Sequence, residues 1–147
     1  MALFDDIQAD LKAAMTARDN FKRDTLRLVM SDLKNKQIEL GRDLKDEDTL
    51  SVITKAKKSR QDSLEQYTEA GREDLAAIER GELEVISVYL PEEMGEDELR
   101  EIVTAVVAEV GASSPKDMGA VMKALMPKVK GRADGKAVQR IVAELLN

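Results

Sequence analysis

The chain has 147 residues, 43% of them hydrophobic and 35% charged, with a net charge of −6, no histidine and no cysteine. Disulfides, thiol catalysis and imidazole general-base chemistry are therefore excluded, and the overall acidity argues against a general nucleic-acid binder. Only four residues are aromatic (Phe4, Phe21, Tyr67 and Tyr89), so the core must be built from Leu, Val, Ile, Ala and Met. Abundant Ala, Glu, Lys, Leu and Arg with weak strand signals point to an all-α protein.

Leu3, Phe4, Ile7, Leu11, Ala14 and Met15 recur at spacings of three and four, which predicts an amphipathic helix over 3–18. A break at Asp19-Asn20 follows. Leu26, Met30, Leu33 and Leu40 then share one side of a second helix, interrupted by Gln37 and ended by Gly41. Leu44–Glu47 reads as a polar connector. A third helix begins near Asp46 or Asp48 and runs towards Ala70. Its apolar face (Leu50, Ile53, Ala56, then Leu64 and Tyr67) is divided by the polar stretch KAKKSRQDS, residues 55–63. A helix so polar in its middle is either solvated or meets a partner there. Gly71 closes it, and Leu75, Ile78, Glu82, Val85, Ile86 and Tyr89 mark a fourth helix, with Gly81 as its weak point.

Leu90-Pro91-Glu92-Glu93-Met94-Gly95 is the best boundary, since the residue before a proline is biased out of helical geometry. It divides the chain into an N-terminal helical domain (1–91) and a tail domain (92–147). The tail opens with an acidic helix whose inner residues are Leu99, Ile102, Val103, Val106 and Val110. Residues 92–111 carry seven acids against Arg100 alone. Most of these acids fall in or before the first helical turn, where they favour the helix dipole.

Composition then reverses. From Pro115 to Arg140 there are seven basic residues and two acids, a local balance of +5 that leaves −11 for the rest of the chain. Ser114 is placed as an N-cap, Pro115 in the first turn and Asp117 at the capping-box position. Met118, Val121, Met122 and Leu125 face a core, Pro127 limits the helix, and Lys128–Arg132 is the connector. Asp134 then caps a last helix with Val138, Ile141, Val142 and Leu145 inward. The whole chain thus reads as a four-helix unit followed by a small three-helix tail module. Two helix ends converge on a loop containing Gly131 and Gly135, and with Lys123, Lys128, Lys130, Arg132, Lys136 and Arg140 they form a candidate phosphate-binding corner. A plain solvated face is the competing account. The second basic cluster, Lys55, Lys57, Lys58 and Arg60, reads first as a solvated face.

The stretches Gly119–Lys123 (GAVMK) and Lys130–Lys136 (KGRADGK), followed by a terminal amphipathic helix, resemble the tail domain shared by the B subunit of tRNA-dependent amidotransferases (GatB) and the small YqeY-like proteins. Gln61–Leu75 (QDSLEQYTEAGREDL) and Leu83–Glu93 (LEVISVYLPEE) resemble the YqeY-like proteins specifically. Such relatives often carry Ser where this chain has Gly95, a difference of only a few tenths of a kcal/mol in capping. In the amidotransferases the chemistry lies outside the tail, which contributes contacts to tRNA. The resemblance therefore implies a non-catalytic protein that binds tRNA or a tRNA-handling complex. An accessory factor of glutamine-dependent tRNA amidation and a protein–protein adaptor are the alternatives. No catalytic residue, metal or cofactor is expected. Ser113-Ser114 reads as a helix cap and not as a nucleophile. With no base-stacking aromatics in the tail, shape and phosphate contacts to RNA are expected over sequence reading, and no DNA. No apolar run spans a membrane, and MALFDDIQAD lacks a signal peptide's basic start and apolar middle, so a cytoplasmic location is expected.

Overall fold

The computed structural model describes residues 2–147, and these are all-α: seven helices and one 3-10 turn, with no strand among the described residues. The chain separates into two compact units between Leu90 and Pro91.

The first unit contains α1 (Ala2–Thr16), α2 (Asn20–Leu40), α3 (Asp46–Glu69) and α4 (Glu73–Ser87). Its core joins Phe4 and Ile7 of α1, Leu26, Val29, Met30 and Leu33 of α2, Ile53 and Ala56 of α3, and Ile86 of α4. The break before α2 has a physical cause. The Asp19 carboxylate accepts the Lys22 N–H at 3.2 Å, covering one of the donors a helix start leaves open. At the other end Gly41 takes φ +67°, a left-handed conformation natural to glycine, and its N–H donates to the Gln37 carbonyl at 2.9 Å.

Four inward assignments are reversed, three of them at helix ends and one, Ile78, within α4. Met15, Leu40, Ile78 and Val110 are all exposed. The connector after α2 is also not wholly polar, because Leu44 is completely buried and belongs to the core. One apolar residue between charges has no periodicity to betray it. Arg42 holds the connector in place through an ion pair to Asp48 at 2.7 Å, and Asp48 also accepts the Lys45 N–H at 2.9 Å. The Arg42 guanidinium, and after it the backbone N–H, hold the Asp48 carboxyl down to about 2.

The polar middle of α3 is partly satisfied inside this unit. Arg60 pairs with Glu82 of α4 at 2.7 Å, both side chains being under one fifth exposed, and its Nη1 donates to the Ala56 carbonyl. Tyr89 donates its hydroxyl to Asp10 at 2.5 Å, tying the residues after α4 to α1. The weak point at Gly81 has a neighbour: a Cβ built there would lie 2.9 Å from the tip of the Phe21 ring. That ring is about half exposed and can swing away. Gly81→Ala is therefore expected to stabilise the protein by about 0.5–1 kcal/mol through helix propensity. A lowered thermal midpoint would show that Phe21 cannot yield.

The second unit contains α5 (Glu96–Val110), a 3-10 turn (Pro115–Asp117), α6 (Met118–Val129) and α7 (Gly135–Leu146). Its core draws only on its own helices: Leu99, Val103 and Val106 of α5, Val121, Leu125 and Val129 of α6, and Val138, Ile141, Val142 and Leu146 of α7. The capping box before α6 is present. The Asp117 carboxylate accepts the N–H groups of Ser113 and Ser114 at 2.9 and 3.2 Å, which lowers its pKa. Two expectations shift. α7 buries Leu146 and leaves Leu145 exposed, since both positions flank the same stripe and periodicity does not choose between them. Pro127 does not limit α6, which runs on to the buried Val129. The proline forfeits a single helical bond, and burying Val129 offsets that loss. The connector is therefore Lys130–Asp134.

Because each core closes within its own unit, a fragment beginning at Pro91 is expected to stay in solution and be helical alone, though marginally stable at that size. A random-coil circular dichroism spectrum in the cold would overturn this.

Candidate nucleic-acid interface

The basic stretch occupies α6, the Lys130–Asp134 connector and the start of α7. Gly131, at φ +80°, makes the turn after α6. The N–H groups of Arg132 and Ala133 both donate to the Val129 carbonyl, at 2.9 and 3.1 Å. The connector is then tied to the segment preceding α5: the Met94 N–H donates to the Arg132 carbonyl at 2.7 Å, and Arg132 Nε donates to the Glu92 carbonyl at 3.1 Å. Asp134 precedes α7, and its carbonyl accepts the Val138 N–H.

The six candidate cations fall into two groups of three. Arg132 faces Glu98 at 3.6 Å, Lys128 pairs with Glu109 at 3.4 Å, and Arg140 pairs with Glu96 at 3.3 Å and Glu144 at 3.5 Å. Arg100 joins the last group, reaching Glu96 at 3.3 Å and Glu144 at 2.9 Å. Arg100, and after it Arg140, lower the Glu96 pKa, while Glu144 and then Glu96 raise that of Arg100. The acids of α5 thus do more than favour its dipole. In sequence these acids are accounted for by the helix dipole, and the signal for the second role is the −6 segment standing just before the +5 segment.

Lys123, Lys130 and Lys136 form the other group. All three are exposed, and none makes an ion pair or side-chain hydrogen bond among the described residues. Lys123 lies on the side of α6 opposite Val121, Leu125 and Val129. Lys130 follows the last residue of that helix, and Lys136 occupies the first turn of α7. Helix electrostatics explains Lys128, a cation in the last turn of α6, but works against Lys136, which adds positive charge at the positive end of α7. Gly135 beside it has ordinary φ and open space where a Cβ would go, so no turn or packing requirement of this chain calls for glycine there. In the first unit Lys55 and Lys58 are exposed, whereas Arg60 is committed to Glu82.

The class defined by these features is an all-α protein whose C-terminal unit carries a partly neutralised basic strip. The chain belongs to the YqeY-like protein family, whose model matches residues 4–146. It is 33% identical to the "Altered inheritance of mitochondria protein 41, mitochondrial" of Clavispora lusitaniae, over 83% of this chain and 73% of that protein. It is 41% identical to the protein of the same name from Vanderwaltozyma polyspora, over 57% of this chain and 46% of that one. The Saccharomyces cerevisiae (strain YJM789) protein is 31% identical over 90% of this chain and 63% of its own length. The chain therefore spans less than two thirds of the last two. These names place the relatives in mitochondria, whereas the expectation for this chain, from its lack of an apolar run and of a signal-like start, is the cytoplasm. No helix among the described residues is long and apolar enough to cross a membrane.

Proposed function

We propose that the chain is a non-catalytic helical protein that binds tRNA, or a complex handling it, through its three-helix tail module. The observation that carries this reading is the set of three exposed, unpaired lysines, Lys123, Lys130 and Lys136, on a protein of net charge −6. Exposed lysine clusters commonly do no more than solvate a helix, but Lys136 stands where its own helix disfavours it, and that favours an external anion. Phosphate contact without base reading fits a surface free of aromatics. The setting is an aqueous compartment in which tRNA is handled, cytoplasmic as expected from the sequence and mitochondrial for the named relatives. Amidotransferase kinship stays a secondary reading, as an accessory role.

The test is binding of the intact chain to tRNA at near-physiological salt with heparin as competitor. Retention of tRNA against heparin supports the reading. Binding that is absent, or equal for every polyanion, overturns it and moves the protein–protein adaptor to first place.

A further inference from the structure

The pairing of half the basic strip with one acidic helix has a functional reading of its own, resting on the tail as the polyanion-binding face. We propose that α5 is a built-in competitor for the tail's cations. Glu98 and Glu109 hold Arg132 and Lys128, so that only a partner whose phosphates are placed to displace these carboxylates engages the full strip.

Three features support this. The competing carboxylates come from a single helix and reach the strip at both its ends, Glu98 in the first turn and Glu109 in the last. The pairs are exposed and long, 3.4 and 3.6 Å, which is the regime in which an ion pair contributes little and exchanges readily. Glu109 also sits at the C-terminal end of α5, where the helix dipole disfavours an acid, so capping gives no reason for it. A cation already paired with a carboxylate releases fewer counterions when a phosphate arrives. Binding to an unstructured polyanion should then report the three unpaired lysines and little else. Discrimination arises by penalising the wrong partner as much as by attracting the right one.

The experiment compares two double variants of the full chain that change net charge equally. Glu98→Gln with Glu109→Gln releases Arg132 and Lys128. Asp97→Asn with Glu101→Gln removes two acids of the same helix that make no ion pair to the strip among the described residues. Each is titrated with heparin and with tRNA across a salt series, and thermal unfolding confirms the fold. The first variant is expected to bind heparin roughly tenfold more tightly than wild type at low salt, with a log–log slope steeper by about 1.4–1.8, two added contacts at 0.7–0.9 each. Its preference for tRNA over heparin is expected to shrink. The control pair is expected to shift affinity by no more than a few-fold and leave the slope in place. Equal behaviour of the two variants would reduce the effect to net charge and overturn the proposal. If the first variant unfolds, Glu109→Gln alone, at an exposed position, is expected to give about half the slope change. The heparin arm reads the competition without reference to tRNA. Failure of wild type to bind tRNA would therefore sink the proposed function while leaving this inference measurable.

Discussion

Leu44→Ala is expected to be among the most destabilising single substitutions in the first unit, by about 2–5 kcal/mol. Leu44 has no exposed surface and belongs to the same core as Leu33, Ile53 and Ile86, although it sits in the connector between α2 and α3 and in no helix. Removing three carbons there loses their transfer free energy and leaves a cavity that the Arg42–Asp48 tie keeps from collapsing. Against the total stability usual for a small protein, that is a large fraction. Chemical denaturation should show a lowered midpoint with an unchanged slope. Leu40→Ala, four residues earlier on an exposed position, is the matched control and should cost well under half as much. Equal losses at the two positions would mean that the connector packs loosely.

The second large effect concerns binding. Replacing Lys123, Lys130 and Lys136 together by alanine should cut tRNA affinity at near-physiological salt by roughly a hundredfold, taking about 1 kcal/mol for each lost phosphate contact. The log–log salt slope should flatten by about 2–3 units. Replacing Lys128, Arg132 and Arg140 removes the same formal charge, but from cations that carboxylates already occupy, and should cost less. Thermal stability of the lysine variant should barely move, since the three side chains are exposed and make no ion pair or side-chain hydrogen bond among the described residues. If the paired and unpaired triples lose equal affinity, the strip acts as an undifferentiated charge and the special role of the three lysines is wrong.

What was legible in the sequence was whatever depends on neighbours along the chain. The Asp19 break, the Gly41 stop and the Ser114–Asp117 capping box are all local hydrogen-bond arrangements, and each is present. The helical stripes were legible at their centres for the same reason. Stripe margins were not, because Met15, Leu40 and Leu145 lie where burial depends on which helix arrives from elsewhere. Pro127 misled because the rule against proline in helices weighs one lost bond, whereas the fold weighs it against burial of Val129. Leu44 was invisible for want of any periodicity. The basic strip could be found by counting charge, but its division into paired and unpaired halves could not. For Arg132 and Lys128 that division depends on Glu98 and Glu109, which lie 34 and 19 residues away and meet them only in three dimensions.

The tie between the Lys130–Asp134 connector and the segment before α5 constrains how this tail can vary. Its shortest bond, from the Met94 N–H to the Arg132 carbonyl at 2.7 Å, is main chain at both ends and needs of position 94 only that it not be proline. Other substitutions leave it intact, whereas inserting or deleting a single residue between Val129 and Asp134 shifts every carbonyl out of register with Met94. The connector is thus strict in length and, apart from the left-handed Gly131, permissive in composition. Only the second bond, from Arg132 Nε to the Glu92 carbonyl, asks for a particular residue, because a lysine carries no N–H at that point along its chain.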